Sequence, residues 1–331
     1  MSAEERRTRY RALAEAEPGF TLFASPWWLD AVCGDDGWDA VLAEEGGRIE
    51  AAMPLYPSTR FGLPILAMPP MTQTLGPWLR PATSSYPKAL AREKRLFGAL
   101  IDQLPDYAHF HQNFHHGVTN WLPFFWRGFE QRTNYTYLLP DISDPDAVWA
   151  GMEGRVRTDI RKAREREGLG VEHGADVDTL HAMHAMSLER QGLDGAFDRA
   201  LVRRVVEACR ARSAGEALCV RGPGGRVRAA AFVAWTPDAA YYLLGGGDPE
   251  RRGGGAAALC VWGAVRLASA HAASFDFEGS MLEGVERFFR GFGARQTPYF
   301  VIRRTPSAAL RRRNAWAARW ARARAMVRAM A

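Results

Sequence analysis

Apolar positions recur along the chain with two distinct periods. At 109–114 the alternation is strict. Phe110, Gln112 and Phe114 share one face, and His109, His111 and Asn113 share the other, which predicts a strand buried on one side. At 144–167 the period lengthens. Val148, Met152, Val156 and Ile160 fall four apart, predicting one helix that opens at Asp144-Pro145, runs to Glu167 and is stopped by Gly168. The same signals predict helices at 1–19, 86–104, 180–190, 199–212, 256–270 and 283–289, with another opening at Ser25-Pro26-Trp27. Extended runs are predicted at 132–139, 239–244 and 298–302. A further run at 274–280 places Phe275 and Phe277 on one side and Asp276 and Glu278 on the other.

One phrase occurs twice. Residues 38–55 read as strand, Gly46-Gly47 turn and strand; residues 218–233 read as strand, Gly224-Gly225 turn and strand. Gly46-Gly47-Arg48-Ile49-Glu50-Ala51-Ala52 aligns with Gly224-Gly225-Arg226-Val227-Arg228-Ala229-Ala230. A repeat of domain size implies two copies of one fold. The expected division is an N-terminal copy at 1–140, a C-terminal copy at 141–305 and a basic amphipathic helix at 306–331. In that last helix Trp316, Trp320, Ala323 and Val327 form a stripe expected to dock on the protein itself, with RNA or a membrane surface as alternatives.

The copies differ at one place. Only the second carries Gly245-Gly246-Gly247-Asp248-Pro249-Glu250-Arg251-Arg252-Gly253-Gly254-Gly255-Ala256, between the strand ending at Leu244 and the helix starting at Ala256. A glycine-rich turn before a helix presents unpaired backbone N–H groups at the positive end of the helix dipole, which suits a phosphate. Arg251 and Arg252 add forked donors. The stretch is not Gly-x-x-x-x-Gly-Lys-Ser/Thr, which argues against a P-loop NTPase. The alternative reading is a plain turn and cap.

Bulk composition changes this picture little. The chain has 331 residues, 47% hydrophobic and 24% charged, enough for two domains with real cores. A net charge of +6 favours anionic partners, although lysine occurs only at Lys88, Lys94 and Lys162, so the excess is arginine and reflects codon bias in part. Cys33, Cys209, Cys219 and Cys260 are far apart, suggesting neither a disulfide framework nor a zinc site. His109 and His111 lack a carboxylate or cysteine at ligand spacing, so no metal is expected. The charged N-terminus is not a secretory signal and no run reaches the length of a membrane span, so the expected compartment is a reducing cytoplasm.

Arg251-x-x-Gly254-x-Ala256 resembles the pattern that cradles the coenzyme A pyrophosphate in GNAT acyltransferases. The hairpin, the Tyr241-Tyr242 strand, that cradle and Phe288-Phe289-Arg290-Gly291-Phe292-Gly293 follow the GNAT order. With the repeat and the basic helix at 156–168, the chain resembles the FemAB-like, BioF2-like branch of that superfamily, a bacterial group. The resemblance covers residues from about Phe20 to about Arg304. It implies an α/β (α+β) fold of two tandem GNAT-like domains, each a mixed, mainly antiparallel sheet flanked by helices. It also implies acyl transfer to an amine.

Two donors follow from the resemblance: acyl-CoA, as in GNAT enzymes, or aminoacyl-tRNA, as in FemAB enzymes that extend peptidoglycan precursors or small peptides. The intact cradle, Gly245 and Arg251 to Ala256, favours coenzyme A. No helical-arm insertion of the kind several FemAB enzymes carry is present. Asp276 and Glu278 are the candidate bases and Tyr299 a candidate proton donor to the leaving group. A backbone N–H near Leu244 to Gly246 is the candidate oxyanion donor. His111, Asn113, Trp121 and Tyr242 are the candidate acceptor-binding residues, for a small-molecule or peptide amine. No Ser/His/Asp or Cys/His set can be assembled, so direct attack is expected. DNA is not an expected partner. The reading from another class is a GNAT-fold binding module without turnover.

Overall fold

The computed structural model describes residues 1–190, 192, 196–248, 254–279 and 281–313. The chain forms two compact units. One comprises Met1–Phe20, Cys33–Thr133 and the chain from Tyr299 on; the other comprises Thr21–Val32 and Asn134–Pro298.

In the first unit β1 (Asp39–Glu45) and β2 (Arg48–Arg60) form the hairpin expected from the sequence. Gly46 and Gly47 take φ of +60° and +78°, the backbone of a two-residue turn that matches strand twist and favours glycine. β3 (Leu63–Ala67), β5 (His109–Asn113) and the end of β12 (Arg295–Arg304) follow in the order β1-β2-β3-β5-β12, with β4 (Trp78–Leu79) beside β2. The core lies under α3 (Tyr86–Asp102) and α4 (Leu122–Trp126), where Phe97, Leu100 and Phe124 meet Phe110, Phe114 and Ile302. β5 alternates as its sequence predicts, with Phe110, Gln112 and Phe114 buried. The aromatic run at 121–126 divides: Phe124 is buried, whereas Phe125 and Trp126 are exposed.

In the second unit the strand order is β6-β11-β10-β9-β8-β7, formed by Glu130–Leu139, Ser274–Asp276, Ala239–Gly247, Val227–Trp235, Gly215–Arg221 and Gly170–His173. Neighbours are antiparallel except β10 and β11, which run parallel. α6 (Gly154–Glu165) and α9 (Ala256–Ala268) bring Val156, Ile160, Leu259 and Val265 onto one sheet face, against Leu218, Val220 and Val233. α8 (Arg199–Arg210) presents Cys209 to Phe232 and Gly215, which belong to the opposite face.

Three sequence expectations are corrected here. The helix predicted over 144–167 is two, α5 (Pro145–Gly151) and α6, because Met152 and Glu153 are extended and the Glu153 N–H turns away to the Gly291 carbonyl, 2.9 Å distant. Gly245 to Gly247 are strand, not turn: they pair with Ala231 to Ala229 of β9, whose small side chains complete the ladder. The alternation expected over 274–280 ends at Asp276, and Phe275, Asp276 and Phe277 are all buried. The stripe expected at 316–327 lies outside the described residues.

Candidate active site

β10 and β11 stay together for three residue pairs only, Ala239 with Ser274, Ala240 with Phe275 and Tyr241 with Asp276. β11 then ends. β10 continues to Gly247, and between Tyr242 and Leu244 its register against β9 slips, the mark of a bulge at Leu243. Beyond Tyr241, then, the edge of β10 that faced β11 has no strand beside it among the described residues.

The chain leaving β11 is bent to hold two carboxyls. Phe277 donates its N–H to the Tyr137 carbonyl at 3.0 Å. Glu278 then adopts φ +59° and Gly279 φ +56°. A left-handed glutamate is strained by roughly 1–2 kcal/mol, and such outliers concentrate at functional sites. Gly279 must be glycine, since a Cβ there would collide with the Tyr135 carbonyl. Asp276, 4% exposed, accepts hydrogen bonds from the Thr136 hydroxyl and, at 2.7 Å, from the Glu278 N–H. Burial raises its pKa from 3.8 to about 6 against the opposing pull of those two donors. Burial, with the Asp276 charge added, pushes the Glu278 carboxyl well above the usual carboxylate range. The phenol of Tyr241 is also raised, first by burial and then by both acids. Two carboxyls placed this way hold one negative charge near neutrality rather than two.

α9 begins next to the end of β10. Its N-cap is Gly255, at φ +73° and without a side-chain cap, so the first-turn N–H groups are left for another acceptor. A Cβ on Gly255 would strike the Asp159 carbonyl of α6, so this glycine also seats α9 on α6. Gly254 and Ala256 flank it. Arg251, Arg252 and Gly253 lie outside the described residues. At the end of β10, Asp248 pairs with Arg226 at 3.0 Å and its N–H meets the Arg228 carbonyl at 2.8 Å.

Tyr242 turns into the core. Its ring meets Phe289 edge-on at 6.0 Å, and its hydroxyl fills the space that a side chain at Gly245 would need. His111, Asn113, Trp121 and Tyr299 belong to the first unit, and Asp276, Glu278, Tyr242, Gly245 and the start of α9 to the second. In the first unit Asn113 donates its amide to the Gln73 carbonyl at 2.9 Å and faces His111 Nε2 at 3.1 Å. Trp121 caps the start of α4 and meets Phe125 edge-on at 5.4 Å. Tyr299 is buried on β12.

One polar group near the site was not legible beforehand. α7 (Val177–Arg190) lies so close to β10 that a Cβ on Gly246 would strike the Met183 carbonyl. The next residue, His184, has both ring nitrogens buried with no hydrogen-bond partner among the described residues, and its ring stacks on Phe197 at 5.9 Å. Burial keeps this imidazole neutral, the Gly245 backbone opposing. Its sole sequence signal was indirect: a run of glycines in a strand marks a close backbone approach.

A family model described as "Acetyltransferase (GNAT) domain" matches residues 151–290. No functionally curated protein matches the chain in sequence. Among solved structures it is similar to FemX, at 13% identity and TM-score 0.62, over 91% of this chain and 96% of that one. It is similar to L-PGS from Bacillus licheniformis, at 12% and 0.53, over 91% and 92%. It is also similar to a tandem GNAT protein from the clavulanic acid biosynthesis pathway, at 13% and 0.51, over 92% and 96%. Identities this low speak for the fold alone, and the family match covers residues 151–290, a stretch similar to GNAT acetyltransferase domains.

Proposed function

We propose that the second unit is an N-acyltransferase that moves an acyl group from acyl-CoA to an amine by direct attack. The observation that carries this reading is the buried pair Asp276 and Glu278, set where β11 leaves the edge of β10 inside the GNAT match. The uncapped start of α9 at Gly255 fits a pyrophosphate, with Gly254, Ala256, Arg251 and Arg252 as the remaining cradle. Acyl-CoA supplies a thioester carbonyl there and a thiol as leaving group. The singly charged carboxyl pair attracts the incoming ammonium and takes its proton, leaving a neutral amine to attack. Backbone N–H groups on the unpaired edge of β10, near Leu244 to Gly246, stabilise the oxyanion. As the C–N bond forms and the C–S bond breaks, the now neutral pair passes a proton to the departing sulfur and takes up the second amine proton in its place, then returns to its singly charged form by releasing a proton to solvent.

Thermal-shift titration with acetyl-CoA, longer acyl-CoAs and desulfo-CoA tests the donor. The expected result is a stabilisation that Gly254→Glu and Arg251→Ala abolish. The exposed Arg164 in the last turn of α6 and Arg166 just after it, on a helix seated against the start of α9, favour a second reading with aminoacyl-tRNA as donor. Under that reading no CoA ligand shifts the transition and charged tRNA is retained on a filter. If neither ligand binds, the unit is a binding module and the enzymatic reading fails.

A further inference from the structure

The first unit carries a crowd of cations that the acyl-transfer chemistry does not use. Its other arginines mostly have acids: Arg9 meets Glu44 at 2.6 Å, Arg127 meets Asp102 at 2.8 Å, and Arg6 and Arg95 pair with Asp39 and Glu45. Arg60, Arg132 and Arg303 have no carboxylate within ion-pair distance among the described residues. Their charges act on neighbouring groups: Arg132 on Arg303, and Arg303 and Arg60 on His109. Arg303 sits directly opposite His111 in the β5–β12 ladder, so both side chains rise from one face. His109 shares that face, its ring 6.4 Å from that of His111 and its Nδ1 2.8 Å from the Thr305 hydroxyl. Burial lowers Arg303, and Arg132 lowers it further, with Glu130 the single acid opposing. His109 and His111 are held neutral by burial first and then by Arg303, Arg60 acting on His109 as well. Phe61, exposed at the tip of the β2–β3 turn, carries Arg60 at 5.2 Å and Arg313 at 3.6 Å from its ring centre.

Like charges gathered around a single acid, Glu130, still repel one another, and a bound anion relieves that repulsion. The polar groups beside them are already aimed. The Gln73 carbonyl can only accept, so the Asn113 amide nitrogen must face it and the Asn113 oxygen must face His111. His111 Nε2 therefore carries the proton and Nδ1 is bare. It is ready to take a proton as an anion arrives and so become a second donor. Several guanidiniums around one patch suit a multiply charged oxyanion better than a single carboxylate.

We propose that this face of β5 and β12, with Arg303 at its centre, binds a phosphate or pyrophosphate group carried by a small ligand. The site is independent of the chemistry proposed for the second unit. The full-length protein, labelled with 15N in its histidine rings, is titrated with sodium pyrophosphate at fixed ionic strength. The His109 and His111 signals are expected to shift together and saturably. Arg303→Gln should weaken binding about tenfold or more, Arg132→Gln by less, with neither variant melting below the wild-type temperature without ligand. Arg251→Ala should leave these signals unaffected, which separates the face from the glycine-rich turn. Absence of a saturable shift, or equal affinity in Arg303→Gln, overturns the proposal. A single-stranded RNA that shifts the same signals where pyrophosphate does not would overturn it in favour of a nucleic acid. Failure of CoA to bind would sink the acyl-transfer reading and leave this one standing.

Discussion

The backbone N–H of Glu278 donates to the carboxylate of Asp276 at 2.7 Å, so one acid's own amide holds the other in place. The left-handed turn at Glu278 is what makes that bond, and it keeps both carboxyls buried together. Ionising this pair therefore costs stability. Asp276 has its pKa raised from 3.8 to about 6, so in that window the folded chain holds a proton the unfolded chain has lost. Its contribution to stability is full below pH about 4 and is lost as pH rises through about 6. Asp276→Asn keeps an acceptor for Thr136 and removes the ionisation. It should raise stability at neutral pH by up to about 3 kcal/mol and leave it unchanged near pH 4. Urea denaturation at the two pH values measures the difference, and an equal effect at both would sink the argument.

The same pair sets an expectation for turnover. Its first ionisation must precede proton removal from the amine, so the rate should climb with pH through about 6, the value Asp276 reaches. Glu278→Gln and Asp276→Asn should each lower kcat at least about a hundredfold and flatten that limb. A pH–rate profile of acyl transfer in wild type and both variants checks this. If both variants turn over at the wild-type rate, the base lies elsewhere.

Much of the architecture was legible because local chemistry and tertiary structure agree. Gly46-Gly47 could only turn, and the alternation from Phe110 to Phe114 could only be a half-buried strand. The misses share one cause, a distant partner that a local pattern cannot record. The stripe Val148, Met152, Val156, Ile160 runs unbroken across Met152–Glu153, yet the Gly291 carbonyl takes the Glu153 N–H and divides the helix. Gly245 to Gly247 look like a loop until Ala229 to Ala231 pair with them. Glu278 reads as one more strand position, and only its φ of +59° shows otherwise. Asp276 and Glu278 were singled out from sequence as candidates because they follow the cradle helix. His184 was not, because its significance comes from α7 lying on Gly246.

His184 offers a sharp stability test. Among the described residues neither buried ring nitrogen of His184 makes a hydrogen bond of good geometry, although the Gly245 backbone favours its charged form, and poorly satisfied buried nitrogens are a liability. His184→Phe keeps a ring against Phe197 and removes both polar atoms, so it should stabilise by about 1 kcal/mol. His184→Ala loses the stacked ring and should instead destabilise. Paired urea transitions distinguish the two. A destabilised His184→Phe would mean that the nitrogens are bonded in solution.

The break between α5 and α6 carries its own latch, and the latch can be weighed. Arg157 Nη1 donates to the Met152 carbonyl at 2.6 Å and the Ala150 carbonyl at 2.8 Å, with Trp149 at 3.3 Å. The Met152 and Ala150 carbonyls are among those that the end of α5 leaves without helical partners, and the Trp149 carbonyl also takes the Met152 N–H at 3.3 Å. A guanidinium is suited to them, being cationic at the negative end of a helix dipole and carrying several donors at once. Arg157→Ala should therefore cost about 2 kcal/mol, and Arg157→Lys about half that or less, since an ammonium keeps the charge and carries three donors on one nitrogen, as Nη1 is used here. Arg155 is the internal control: it lies on α6 too, but it is exposed where Arg157 is half-buried, its guanidinium meets Glu153 and the Arg287 carbonyl instead, and Arg155→Ala should cost less than about 1 kcal/mol. Urea transitions of the three variants check the ranking. Equal losses for Arg157→Ala and Arg155→Ala would show that α5 ends stably without its arginine.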